Sequence, residues 1–338
     1  MIRSELVIDL EALRSNVRRL AEALGGAELW PVLKANAYGH GANTVAEVAL
    51  AEGATALCVA TVGEAVGLRA MFPAARLIVL GPTPPRAYRA AREARLELTV
   101  TDPPWPEGIP LHAKVDTGMG RWGLSTLADA SPDLVGLMSH LASADCDPAF
   151  TEQQISRFAA IAGRHPGLTR HLANSAGILR FPPSLFDAGR PGIALYGLSP
   201  FGTDPAADGL RPVLAWRSYV AQVKRLSAGE STGYGRKFVA TEPTWVGLVP
   251  IGYGDGFRRD LTGTEVLVDG VRRRVVGTIS MDALAVLLEG PLEPGAPVTL
   301  IGDGLLAEEH ARVAGTITYE LVCGINSSPT RSRRVVVG

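Results

Sequence analysis

From about residue 29 the chain repeats one unit: a short apolar run of strand character, a polar or glycine-bearing turn, then usually a segment of helical spacing. Eight such runs occur before residue 200, at 29–34, 56–62, 76–81, 96–101, 112–116, 134–140, 169–174 and 192–196. Several are apolar almost throughout, as strands buried on both faces must be, while 43–53, 62–73, 85–95 and 151–165 space their apolar residues as helices do. This alternation specifies βα units, and eight of them fit a small TIM (β/α)8 barrel better than an open doubly wound sheet. After about residue 209 the pattern becomes β-rich, with a hairpin signal at Asp269-Gly270 between 265–268 and 272–276, one predicted helix at 308–321 and a last strand at 335–337. Residues 202–212, rich in Gly, Pro and Asp, read as the linker. The expected fold is therefore α/β: a TIM barrel domain over 1–209, whose first few residues can join the second domain, and a mainly β domain over 210–338.

Charge and composition narrow the function classes. With 33 basic and 34 acidic side chains the net charge is -1, and there is no basic block to attract nucleic acid or an anionic membrane. The hydrophobic content of 46% excludes a disordered chain, and no run reaches the roughly 18 apolar residues of a membrane span. Acids at Glu5 and Asp9 stand where a signal peptide would carry its apolar region, so a cytoplasmic protein is expected. Cys58, Cys146 and Cys323 are too few and too scattered for a disulfide framework or a zinc site, and read as buried or inert thiols with no metal expected.

Lysine occurs only at positions 34, 114, 224 and 237, so Arg supplies nearly all the positive charge. Arg stays protonated, whereas Lys can be neutralised by burial and can form a Schiff base; a site needing amine chemistry could not have exchanged its Lys for Arg. Lys34 ends a strand run before the turn Ala35-Asn36-Ala37-Tyr38-Gly39-His40-Gly41. It is either a buried, activated amine or a rim Lys with its head in water. Lys114 lies inside a strand, where a salt bridge to a nearby acid is as good a reading as catalysis, and Arg121 in the loop after it suits a carboxylate or phenolate oxygen. His140 ends another strand. Asn174-Ser175 precedes a helix start able to bind phosphate, and Arg190-Pro191-Gly192-Ile193 is expected to open the last strand with bare amides facing the same anion. In the β domain Gly233-Tyr234-Gly235, Gly252-Tyr253-Gly254-Asp255-Gly256 and Ser280-Met281-Asp282 are glycine-flanked turns that can present phenols to a ligand.

Taken together and in order, these segments resemble the alanine racemases, two-domain pyridoxal 5'-phosphate (PLP) enzymes of fold type III, over nearly the whole chain. The resemblance implies that Lys34 carries PLP as a Schiff base and acts as one of two bases, with Tyr234 the other. It implies that Tyr38, Ser175, Gly192 and Ile193 bind the phosphate, beside Asn174. Arg190 would face the pyridine nitrogen and be oriented by His140, and Arg121 would bond the cofactor phenolate and the substrate carboxylate with Lys114 behind it. Tyr253 and Met281 would lie near the substrate. In the family Tyr234, Tyr253 and Met281 come from the partner subunit, so a homodimer with shared active sites is implied, as is supply of D-alanine for peptidoglycan.

Two positions depart from the family pattern. Ser327 stands where some relatives have Tyr, and a smaller residue there admits side chains larger than methyl; the alternative is a broader amino-acid racemase acting on serine. Gly254 replaces a more usual Ala, with little effect expected. Fold-type III decarboxylases need a Cys-Asp motif that the surroundings of Cys323 lack, and PLP homeostasis proteins lack a second domain like 210–338.

Overall fold

A computed structural model describes residues 2–127 and 131–338. The chain divides into two compact units. One comprises Leu13–Phe201 with Ala206–Arg211; the other comprises the segment ending at Ala12, Gly202–Pro205 and Pro212–Gly338. The first strand, β1 (Glu5–Asp9), belongs to the second of these.

Eight parallel strands form the first unit: β2 (Glu28–Leu29), β3 (Leu57–Val59), β4 (Leu77–Val79), β5 (Glu97–Val100), β6 (Leu111–Lys114), β7 (Leu134–Met138), β8 (Thr169–His171) and β9 (Ala188–Gly189). Their order is β2-β9-β8-β7-β6-β5-β4-β3. A bridge between Val32 and Cys58 joins the two ends, with Leu33 N–H donating to Cys58 O at 2.7 Å and Cys58 N–H to Pro31 O at 2.8 Å, so the sheet curls into a barrel. Strands such as Leu57-Cys58-Val59 and Leu77-Ile78-Val79 are buried at every residue because both faces are covered, which is why the sequence reads there as unbroken apolar runs.

The intervening helices begin where the local chemistry allows. α1 (Leu10–Leu24), the turn α2 (Lys34–Tyr38) and α3 (Ala42–Ala51) precede α4 (Val62–Met71). α4 opens with a capping box: Thr61 Oγ1 accepts from Glu64 N–H at 3.2 Å, and Glu64 Oε2 accepts from Thr61 N–H at 3.1 Å. α5 (Tyr88–Glu93) follows, then α6 (Pro148–Ala162), started by Asp147 as cap and Pro148 at its first position, and α7 (Ser175–Arg180), capped by Asn174.

The eighth run expected from sequence is corrected. Residues 192–196 are not a strand; Ile193–Tyr196 is a 3₁₀ turn, and the last barrel strand is β9, which ends before Arg190. Gly192 has φ -109° and ψ -91°, outside the extended region, and the N–H groups of Gly192 and Ala194 go to Ser175 Oγ instead of a neighbouring strand.

The second unit contains β10 (Leu214–Tyr219), β11 (Gln222–Leu226), β12 (Ser231–Thr232), β13 (Phe238–Val239), β14 (Thr244–Val249), β15 (Glu265–Val268), β16 (Val271–Val276), β17 (Leu284–Leu288), β18 (Pro297–Ile301) and β19 (Arg333–Val337). Nine of its strands order as β11-β14-β17-β16-β15-β18-β10-β1-β19, antiparallel except for the parallel pair of β1 and β19, while β12 and β13 form a separate ribbon. The hairpin turns on Asp269 (φ 50°) and Gly270 (φ 75°), both left-handed as a two-residue loop requires. The helix expected over 308–321 is two, α8 (Ala307–Ala314) and α9 (Thr318–Gly324), because Gly315 at φ 62° terminates the first. No helix among the described residues is long and apolar enough to cross a membrane.

Candidate active site

Lys34 stands at the mouth of the barrel, where the chain leaving β2 enters α2. Ala35, Asn36, Ala37 and Tyr38 all hold φ between 52° and 54°, a left-handed turn of four residues with side chains. Each such residue costs about 1–2 kcal/mol. The turn is held by Gly39 N–H to Ala35 O at 3.0 Å, Gly41 N–H to Asn36 O at 2.9 Å, Ala42 N–H to Asn36 Oδ1 at 2.9 Å and Ala35 N–H to Glu64 Oε1 at 2.7 Å. It turns the Tyr38 ring inward, packed on Tyr196 with centroids 4.9 Å apart, and sets Lys34 Nζ 5.8 Å from the Tyr38 ring. Lys34 itself is exposed, so of the two readings of this residue the buried amine is not met. The buried one is Lys114.

Next to Tyr38 lies a cradle made by Ser175 and the Gly192–Ala194 turn. Ser175 Oγ accepts Gly192 N–H at 3.0 Å and Ala194 N–H at 3.2 Å, which leaves its own hydroxyl hydrogen to donate elsewhere. Ile193 N–H opens a 3₁₀ turn and so has no partner within it. A Cβ on Gly192 would come 2.5 Å from Tyr38 Oη, so only glycine permits this approach. Asn174 Oδ1 caps α7 through Gly177 N–H at 2.9 Å and its Nδ2 reaches Leu141 O at 3.4 Å, a framing role.

Arg190 follows the end of β9 and is buried. Its Nη1–H meets His171 Nδ1 at 2.6 Å, and its Nη2 donates to Ser139 O at 2.8 Å and Leu172 O at 3.2 Å. The Nε–H and one Nη1–H make no hydrogen bond among the described residues. Burial lowers its pKa to about 10, which leaves it a cation at neutral pH. The imidazole that orients Arg190 is therefore His171, not His140 as expected: β8 and β9 are neighbours, whereas His140 lies two residues past the end of β7. His140 is held through its backbone, whose O accepts from Gln154 Nε2 at 3.1 Å. Burial and then the charges of Arg190, Arg121, Lys114 and Lys34 push its pKa well below the usual imidazole range, so its ring is neutral.

Lys114, the last residue of β6, makes no ion pair among the described residues, so the salt-bridge reading is not met. Asp116, its nearest acid in sequence, accepts instead from the N–H groups of Gly118, Met119 and Gly120. Lys114 Nζ and the Arg121 guanidinium sit over the Trp122 ring, 5.6 and 5.1 Å from its centroid. Burial, then the Arg121 and Arg190 charges, lower the Lys114 pKa to about 8. Arg121 is exposed.

Tyr234, Tyr253 and Met281 belong to the other unit. Tyr253 and Met281 are brought together there: Tyr253 N–H donates to Ser280 O at 3.0 Å and Gly254 N–H to Met281 O at 2.9 Å. A Cβ on Gly252 would fall 2.1 Å from Ser280 O, so this approach too needs glycine. The fully buried Asp255 carboxylate accepts from Arg3 Nη1 at 2.6 Å, Arg3 Nη2 at 2.8 Å and Gly252 N–H at 3.0 Å, while Arg331 bonds Asp282 at 2.6 Å. Tyr234 is docked through its carbonyl, which accepts from Thr278 Oγ1 at 2.8 Å. Ser327 follows Asn326, whose Nδ2 donates to Gly254 O at 3.1 Å, so the departure at 327 lies beside the Tyr253 turn.

Three residues of the barrel interior escaped the sequence reading: Glu97, His112 and His171. The signal was present, since an imidazole inside an apolar strand needs a buried partner. Of the three thiols only Cys58 is buried; Cys146 and Cys323 are exposed. No group of metal-binding side chains occurs among the described residues.

Two family models match the chain, the alanine racemase N-terminal domain over residues 8–200 and the alanine racemase C-terminal domain over 213–335. The alanine racemase of Streptomyces coelicolor is 40% identical over 98% of this chain and 96% of its own length, and alanine racemase 1 of Bacillus subtilis is 37% identical over 96% and 91%. Among solved structures, the biosynthetic alanine racemase of Pseudomonas aeruginosa superposes with a TM-score of 0.92 at 33% identity, covering 100% of both chains.

Proposed function

The chain belongs to the alanine racemase family, and from that premise we propose that it interconverts L- and D-alanine with two bases, Lys34 and Tyr234 of the partner subunit, on opposite faces of the substrate Cα. The observation that carries the reading is the convergence of Lys34, Tyr38, the Ser175–Gly192 cradle and the donor-only Arg190 at the strand ends of one barrel.

The donor set fits PLP. The Tyr38 and Ser175 hydroxyls and the Ile193 amide suit its phosphate, with Gly192 leaving room beside Tyr38 Oη and Asn174 framing them. The spare N–H groups of Arg190 suit its ring nitrogen, Arg121 suits its phenolate oxygen, and Lys34 is the amine to hold it. When bound, PLP supplies an electron sink for the pair left as the Cα proton departs.

Inversion then depends on the chain's own groups. Lys34 Nζ moves a proton at Cα on one face and the Tyr234 phenol of the partner subunit moves one on the other. Arg121 holds the substrate carboxylate, Lys114 stands behind it, and Tyr253 with the Met281 backbone confines the small side chain. Because a guanidinium does not readily give up its proton, Arg190 would donate to the ring nitrogen without protonating it, which would limit side reactions such as transamination. The neutral imidazole of His140 adds no further charge beside these cations.

Exposure supports the dimer. Lys34 and Arg121 on the barrel are exposed, as are Tyr234, Tyr253 and Met281 on the β unit, and a closed active site needs these groups covered. We place the reaction in the cytoplasm, supplying D-alanine for peptidoglycan.

Mixing two inactive variants tests the shared site. Lys34→Ala and Tyr234→Phe, combined and allowed to exchange subunits, should regain about a quarter of wild-type racemisation, because half the dimers then carry one intact site. No recovery, with exchange verified by mass spectrometry, would put both bases in one subunit and overturn the arrangement.

A further inference from the structure

The barrel interior holds a column of bonded polar groups that the reaction does not use directly. Glu97 Oε2 lies 2.7 Å from His112 Nε2, His112 Nδ1 lies 2.8 Å from His171 Nε2, and His171 Nδ1 lies 2.6 Å from Arg190 Nη1. Both imidazoles are fully buried. Room for them is built in: a Cβ on Gly136 of β7 would come 2.0 Å from His112 Nδ1, and Trp30 packs edge-on against both rings. Glu97 opens β5 and is gripped by Arg76, whose Nε and Nη2 donate at 2.6 and 2.9 Å. The column therefore crosses the barrel from the strand starts to the strand ends.

Its direction is fixed by its two ends. A guanidinium only donates and a carboxylate only accepts. With both rings neutral, His171 Nδ1 must accept from Arg190, its Nε2–H must donate to His112 Nδ1, and His112 Nε2–H must donate to Glu97. The charges agree: burial holds both imidazoles below their usual range, and although burial opposes the Glu97 charge, the bonds from His112 and Arg76 prevail and bring it to about 2. Arg190 bonds no carboxylate among the described residues, and a buried cation needs a counter-charge.

We propose that Glu97 is a positioning residue for Arg190, acting through His112 and His171 to fix both tautomers and hold the guanidinium donor in place for the cofactor ring. This rests on the reading that Arg190 faces the ring nitrogen. The strand-start face of the barrel, where residues ordinarily serve stability alone, thereby reaches the chemistry at the other face.

The test is nitrogen-15 NMR of the imidazoles in the PLP-loaded enzyme, with the visible absorption of the bound cofactor and steady-state kinetics beside it. In the wild type both rings should be neutral with the proton on Nε2, unchanged from about pH 6 to 9; an imidazolium or an Nδ1–H form of either ring overturns the proposal without any variant. In Glu97→Gln, one acceptor and one donor replace the carboxylate on which three N–H groups converge. The His171 resonances and the visible band should then move, and kcat should fall about 10-fold with KM within about threefold, as when a supporting hydrogen bond behind a ligand is lost. Glu97→Asp should restore the resonances in part. Unmoved His171 resonances, or moved ones with an unmoved band and kcat, overturn the proposal. Arg190→Lys separates the two failures: a band shifted by this variant but not by Glu97→Gln leaves the site reading intact, and a band shifted by neither removes it as well.

Discussion

In the barrel the polar side chains at and below the mouth are buried: Arg190 is 3% exposed, Lys114 4% and Ser175 2%, with Arg190 and Ser175 each making more than one hydrogen bond and Lys114 lying over the Trp122 ring. In the β unit the corresponding side chains stand out: Tyr234 is 72% exposed, Met281 52% and Tyr253 45%, while the buried groups beneath them, such as Asp255, bond backbone and arginine. The barrel preorganises its donors inside its own core, whereas the β unit invests its buried hydrogen bonds in loop shape and leaves the reactive tips uncovered. A residue of the first kind cannot change without disturbing the fold around it; one of the second kind can lose its chemistry and leave the unit as stable as before.

The comparison is broken most directly at Lys34, which is exposed although it belongs to the barrel. Lys34→Ala should lower racemisation by more than about 10³-fold and abolish the visible band of the PLP-loaded protein, while the thermal midpoint of the PLP-free protein stays put. A stability loss there would group Lys34 with the buried set. Tyr234→Phe should cost on the order of 10³-fold in racemisation, retain the visible band and leave stability within about 0.5 kcal/mol by denaturant titration. An unchanged rate would defeat the assignment of the second base.

Acid tests the buried set of the barrel through one group, Glu97. The Glu97 pKa is depressed from its ordinary 4.5 to about 2 by His112 and Arg76, so its contribution is whole above about pH 4.5 and is lost as pH falls toward 2. Two and a half pKa units correspond to about 3 kcal/mol. Denaturant titrations between these pH values should show that loss in the wild type and not in Glu97→Gln; equal slopes would mean that the column contributes nothing to the barrel. The smallest effect is expected at Gly192→Ala, whose new methyl meets Tyr38 Oη at 2.5 Å. It should cost about 1–3 kcal/mol, read as weaker PLP retention in equilibrium dialysis.

Much of this was legible in the chain. Seven of the eight barrel strands lie within their apolar runs or at one end of them, because a strand covered on both faces leaves no other pattern. The eighth was misplaced because Gly192-Ile193-Ala194-Leu195 is as apolar as a strand, and only the competing Ser175 hydroxyl diverts its amides. The left-handed course of Ala35–Tyr38 was not legible either, since alanine and tyrosine carry no mark of it; a tertiary bond to Glu64 and a local one from Ala42 to the Asn36 side chain hold it. His171 was missed in favour of His140 because strand adjacency, not nearness along the chain, decides which imidazole meets Arg190.

The pairing of β1 with β10 on one side and β19 on the other gives the molecule a timetable. The barrel is drawn from one nearly continuous stretch and can close while synthesis continues. Glu5–Asp9, made before the barrel, has no complete sheet to enter until Arg333–Val337 has emerged, on the order of tens of seconds later at ribosomal rates. In the last part of that interval, once the barrel residues have emerged, an apolar strand edge is carried by a nascent chain whose other unit can already be formed, so a truncated product should fold its barrel and aggregate through its β1 strand.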